Sequence, residues 1–147
     1  MAATKREKIL AHVAGELGRL GWVRGVLRRA LERPREAGEM AGGTQLPLVA
    51  ITGALPVLQG SLAGNPSLSV SELELAVHGY GMERDKPDSI LSEYAADVRR
   101  QVMADTTQGG LALWTKPLTR QHADMLPPYF GFTLTFGIGF VHDLSGR

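Results

Sequence analysis

A chain of 147 residues that is 44% hydrophobic and 21% charged has the size of one ordinary domain and enough apolar side chains to bury a core, which excludes a low-hydrophobicity disordered protein. It contains no cysteine, so disulfides, thiolate nucleophiles, iron–sulfur clusters and cysteine zinc sites are excluded. The formal net charge of +1 divides unevenly, because the first 35 residues hold nine Lys/Arg against three Glu and the rest hold seven against twelve Asp/Glu. Such a polarity can attract nucleic acid at one end, or present opposite charges to further copies of the chain. No apolar run approaches the roughly 20 residues that span a bilayer, and MAATKREKIL lacks the apolar stretch of a signal peptide. A soluble protein made in a cytoplasm is the expectation, with residues 1–147 forming a single domain.

In chain order, Thr4 and Glu7 have capping-box spacing, and Ile9, Leu10, Val13, Leu17 and Leu20 recur at helical period. They predict a helix over about 5–19. WVRGVLRRALE, residues 22–32, supports two options: its apolar residues have helical period, but Gly18, Gly21 and Gly25 favour a break and an extended strand. Arg33 to Gln45 reads as an exposed loop. LPLVAITG, Leu46 to Gly53, is apolar on both parities and predicts a strand buried on both faces. Ala54 to Ser67, with its prolines and glycines, reads as a second long loop.

In SELELAVHGYG, Leu73, Leu75 and Val77 alternate with Glu72, Glu74, His78 and Tyr80, as in a half-exposed strand. Leu68 and Val70 have the opposite parity, which a bulge near Ser71 or Glu72, or a late strand start, would reconcile. Asp88 is a candidate N-cap for a helix whose stripe is Ile90, Leu91, Tyr94, Ala95, Val98, Val102 and Met103, ending near Asp105. Thr106 to Pro128 reads as a third long loop. The last strand alternates Phe130, Phe132, Leu134, Phe136, Ile138 and Phe140 with Gly131, Thr133, Thr135, Gly137 and Gly139, one face large and apolar and the other nearly bare. The fold class expected is α+β: a small, mostly antiparallel sheet packed by two helices, with long loops.

Catalytic constellations are sparse. His122 with Asp124 could share a strand face, whereas His142 and Asp143 point apart, and neither pair has a third ligand or an activated serine at a recognisable spacing. Gln108-Gly109-Gly110 follows a helix instead of opening one, so a turn with positive backbone angles is favoured over a phosphate cradle. No enzymatic activity, cofactor or metal is expected. The basic stretch Arg19 to Arg35 can meet phosphates without base readout, and Trp114 and Tyr129 can anchor either a protein interface or their own loop.

Taken together, LPLVAITG, ELELAVHGYG, SILSEYAADVRRQVMAD, TTQGGLA and FGFTLTFGIGFVHD, in that order after an N-terminal helix, resemble the tail terminator, or tail completion, proteins of long-tailed bacteriophages. The most telling part is the helix of form D-V-x-x-x-V-x-x-D from Asp97 to Asp105, running into Gly109 and Gly110 before the closing strand. The resemblance implies a ring-forming subunit, commonly six copies, on the head-proximal end of the tail tube in the virion, made in the host cytoplasm. Such a ring stops tube polymerisation and joins the tail to the head connector or neck, and the genome passes through its lumen without sequence specificity. It implies no catalytic residue and no membrane partner. Arg28, Arg29, Trp114, Arg120 and Tyr129 are the candidates for subunit or tube contacts. Another phage neck or tail-tube protein, or a nucleic-acid-binding module, is the alternative.

Overall fold

The structure is a computed structural model and describes residues 4–28, 46–54, 56–62, 65–123 and 128–143. Along the chain they form α1 (Lys5–Leu17), β1 (Val26–Leu27), β2 (Leu48–Gly53), β3 (Val57–Leu62), β4 (Asn65–Met82), α2 (Pro87–Met103), β5 (Trp114–Ala123) and β6 (Tyr129–Asp143). The strands make one sheet in the order β1-β2-β4-β6-β5, with β3 also paired to β4. Every pairing is antiparallel except β1 with β2. The architecture is therefore α+β, a mostly antiparallel sheet carrying two helices.

β4 is the frame. On one side it pairs with β6 from Leu68↔Asp143 to Met82↔Tyr129 with no register shift. On the other, β3 runs along its first half and β2 along its second. Alternation sends Leu73, Leu75 and Val77 to one face, where they meet Ile138, Phe136 and Leu134 directly across the ladder. α1 lays Ile9, Leu10, Val13 and Leu17 on this face, and α2 adds Leu91, Ala95, Val98 and Val102, all buried. Gly79 and Gly81 stand opposite Phe132 and Phe130, and a Cβ at either would lie 2.2 or 2.4 Å from the facing ring's Cζ. The missing side chains are the space the two rings occupy.

Local chemistry sets the helix ends. Thr4 Oγ1 accepts from the Glu7 amide at 3.2 Å, as the capping spacing predicts, and α1 stops at Gly18. Lys5 Nζ donates to the Val141 carbonyl at 2.7 Å and Arg6 donates to the Gly53 and Ala54 carbonyls, so the first turn of α1 is tied to the ends of two strands. α2 begins with Pro87 as its first residue and Lys86 as cap, two positions before the expected Asp88 cap; a proline suits a first turn whose amides have no helical partner. Trp22 stacks on Tyr94 at 3.8 Å and donates to Asp97 at 3.0 Å, clasping the chain after α1 to α2.

Two of the expected loops are strands. Within Ala54 to Ser67 lie β3 and the start of β4, whose register shifts near Leu58–Gly60 and Ser61–Leu62 absorb the glycines that break local periodicity. Within Thr106 to Pro128 lies β5, and its proline, Pro117, sits beside a register shift on an edge strand, where a missing amide is tolerated. No bulge near Ser71 is needed against β6: β4 runs straight through, with Ser69 and Ser71 buried and Val70 partly exposed. Leu48–Ile51 are buried on both faces, as expected. Val26–Leu27 adopt the extended option, while residues 29–45, with the expected Arg33–Gln45 loop, lie outside the described residues. No helix among the described residues is long and apolar enough to cross a membrane.

Phe136→Ala should lower the unfolding free energy by about 3–5 kcal/mol in urea titrations. Gly79→Ala should cost about 1–3 kcal/mol by overpacking, partly recovered by adding Phe132→Leu. An unchanged midpoint would contradict the burial of Phe136 in the first variant and the packing of Phe132 over Gly79 in the second.

Candidate functional site

The turn between α2 and β5 fixes where the sheet's outer strand begins. Gln108, Gly109 and Gly110 all have positive φ, at 47, 72 and 84°, so the Gly-Gly step is the turn that the sequence suggests. Gln108 is not glycine, and its left-handed backbone is held by its buried side chain, whose Nε2 donates to the Val102 carbonyl and to Thr115 Oγ1, each at 3.1 Å. Thr115 Oγ1 in turn donates to the Thr106 carbonyl at 2.9 Å. Asp105 accepts from the Thr107 hydroxyl and amide at 2.7 and 3.0 Å and from the Gly109 amide at 2.8 Å. These bonds, the Thr107 hydroxyl first, hold the Asp105 carboxyl below the usual carboxylate range. The Gly109 amide that a phosphate would need is thus spent on Asp105. His12 packs on this turn: a Cβ on Gly109 would lie 3.1 Å from its ring, and its Nε2 is 3.9 Å from Asp105 Oδ2.

The sheet face away from the helices is not bare. Trp114 covers Gly139, where a Cβ would fall 2.1 Å from the indole. Glu72 and Lys116 pair at 3.6 Å across Gly137. His78 is bracketed by Thr52 Oγ1 at 3.1 Å and Thr133 Oγ1 at 3.0 Å, and burial pushes its pKa down. Thr135 is engaged by Thr119. Leu48, Ala50 and Tyr80 form a second small core there with Leu27 and Leu46. The glycine and threonine face expected to be nearly bare is therefore filled in part by this chain's own side chains.

Among the described residues, what remains open is the pair of lateral edges, and they differ. At β5, Lys116, Pro117, Leu118, Thr119, Arg120, Gln121 and His122 are all exposed, and Leu113 and Leu118 retain 49% and 43% of their surface. At the opposite side, Val57 on β3 is 63% exposed, and Arg28 beside β1 is held by Glu7 at 3.1 Å.

The candidate residues do not converge. Arg28 and Arg120 lie at opposite sides of the sheet, about 19 Å apart by four strand spacings. Trp114 pairs with Gly139 and Tyr129 with Met82, which puts them near opposite ends of β6, roughly 33 Å apart along it. Arg29 lies outside the described residues, as does Asp124; His122 is exposed, its Nε2 3.5 Å from Arg120 Nη2. Sequence reasoning missed Arg99, Leu113 and Leu118, since a single charge on a helix and leucines flanking an expected loop carry no periodic signal. Among the described residues no three His, Cys, Asp or Glu side chains gather as a metal site would require. The chain matches no known protein-family model and no curated protein.

Gln108→Ala strands the Val102 carbonyl and should cost about 1–3 kcal/mol in denaturant titrations. Because the Asp105 value is lowered in the folded state, its carboxylate stabilises the fold above the ordinary carboxylate range, and that contribution is lost as pH falls through the lowered value. Asp105→Asn should therefore be less stable than the parent at neutral pH, with the gap closing in acid; a gap independent of pH would refute this.

Proposed function

We propose that this chain is a structural subunit that closes into a ring at the head-proximal end of a bacteriophage tail tube, a tail terminator, stopping tube growth and joining the tail to the head connector. The observation that carries the proposal is the unlike character of the two sheet edges. A ring is built from head-to-tail contacts in which one surface of a subunit meets a different surface of the next. Here β5 offers a basic and leucine-bearing edge and the β1/β3 side offers another, while both sheet faces are largely occupied by the chain's own groups. The order of helix, strands, helix, Gly-Gly turn and closing strand supports the same assignment through its resemblance to tail terminators.

Such a ring performs no chemistry. Its partners are further copies of itself, commonly six, the tube protein, a neck or connector protein and DNA sliding through the lumen. Another neck or tail-tube subunit would share this edge geometry. A nucleic-acid module is less well supported, because Arg19, Arg28 and Arg100 already face Glu16, Glu7 and Asp97. Phage made without the protein should carry tails of abnormal length or tails detached from filled heads in electron micrographs. Tails of uniform length joined to filled heads would overturn the assignment.

A further inference from the structure

A trough lies where α2 passes β5. Its floor is apolar, from Leu134 and Phe136 of β6, and it lies between Ala96 on α2 and Leu118 on β5, with a volume of about 410 Å³. Ala96 lines one wall, and the other carries the register shift between Pro117 and Thr119. Arg99 and Arg120 stand at the rim, both exposed. Neither forms an ion pair with a carboxylate among the described residues, whereas the neighbouring Arg100 is engaged by Asp97 at 2.9 Å. Beside the trough, β5 ends the sheet, so alternate peptide groups along it face outward with no strand beyond among the described residues.

An apolar slot, two guanidinium groups with no carboxylate partner among the described residues and a free strand edge lie together. A small anion would use the guanidinium groups and leave the slot empty, and a DNA backbone has no apolar group for it. We propose that this trough docks an extended segment of another protein, added antiparallel or parallel to β5, with an apolar side chain in the slot and carboxylates on Arg99 and Arg120. Strand addition supplies affinity through main-chain hydrogen bonds, and alternate side chains supply selectivity. Arginine is suited to the carboxylates by its bidentate donors. This is the same edge that a ring would turn to its neighbouring copy, so on any one subunit the docked segment and that ring contact exclude each other.

The test uses the full chain and three capped heptapeptides: one alternating Glu with Val and Leu, one with Lys replacing Glu, and one with Ser replacing Val and Leu. Binding is followed by anisotropy and by backbone amide shifts. The acidic apolar peptide should bind at least about tenfold more tightly than either other peptide, with a salt-sensitive affinity. Its amide shifts should centre on Lys116–His122. The double variant Arg99→Glu/Arg120→Glu should reverse the preference between acidic and basic peptides, and Ala96→Phe should weaken acidic-peptide binding while the melting temperature holds. Equal binding of the acidic and basic peptides, equal binding of the Ser peptide, shifts centred elsewhere, or displacement of the acidic peptide by a short DNA duplex would each overturn the proposal.

Discussion

The unbroken ladder between β4 and β6 is the constraint on which the remainder of the structure depends. Side chains alternate along both strands, so a slip of one residue would turn Phe132, Phe136 and their neighbours away from the helices. Gly79 and Gly81 reinforce the register, because only where a glycine faces Phe132 or Phe130 can the ring lie over the neighbouring strand. With the register set, the helix-side face is continuous and apolar, and α1 and α2 cover it. The same alternation commits the opposite face to Glu72, His78, Thr133 and Thr135.

From that commitment follows the location of the free surfaces. His78 between two threonines, the Glu72–Lys116 pair and the Trp114 indole occupy the outer face, so the described residues present unused backbone and apolar groups mainly at the lateral edges. The Asp105–Gly110 turn determines how one of those edges begins. By bonding Val102, Thr106 and Thr115 through buried side chains, it ends α2 and launches β5 along β6. A motif that looks like a ligand loop in one dimension is a joint between helix and strand in three.

Much of the fold is legible in the residue pattern, and much less of the site. The period of Leu91, Ala95, Val98 and Val102 marks α2 because a helix buried on one side must repeat its apolar residues every turn. The Phe/Gly alternation marks β6 for the corresponding reason. β3 and β5 escape notice because edge strands carry polar residues, prolines and shifts that the interior strands exclude. Of the candidate contact residues, Arg28 is drawn to Glu7 of α1, a pairing between residues 21 apart that no local pattern announces. The grouping of Arg99, Leu118 and Arg120 has the same origin, since α2 and β5 are brought together only by their shared neighbour β6.

The sequence by itself determined the apolar stripes of the two helices and the two principal strands, the capping of α1 by Thr4 and the Gly-Gly turn, because each follows from chemistry acting over a few residues, whereas the burial of Tyr80 on the face expected to be polar came only with the second small core. Tertiary structure alone decided that Gly137 and Gly139 would be covered and not bare, that irregular segments would be strands, and which charges would stand free. Those outcomes depend on cross-strand register and on which side chains reach across it, and register is a property of the assembled sheet.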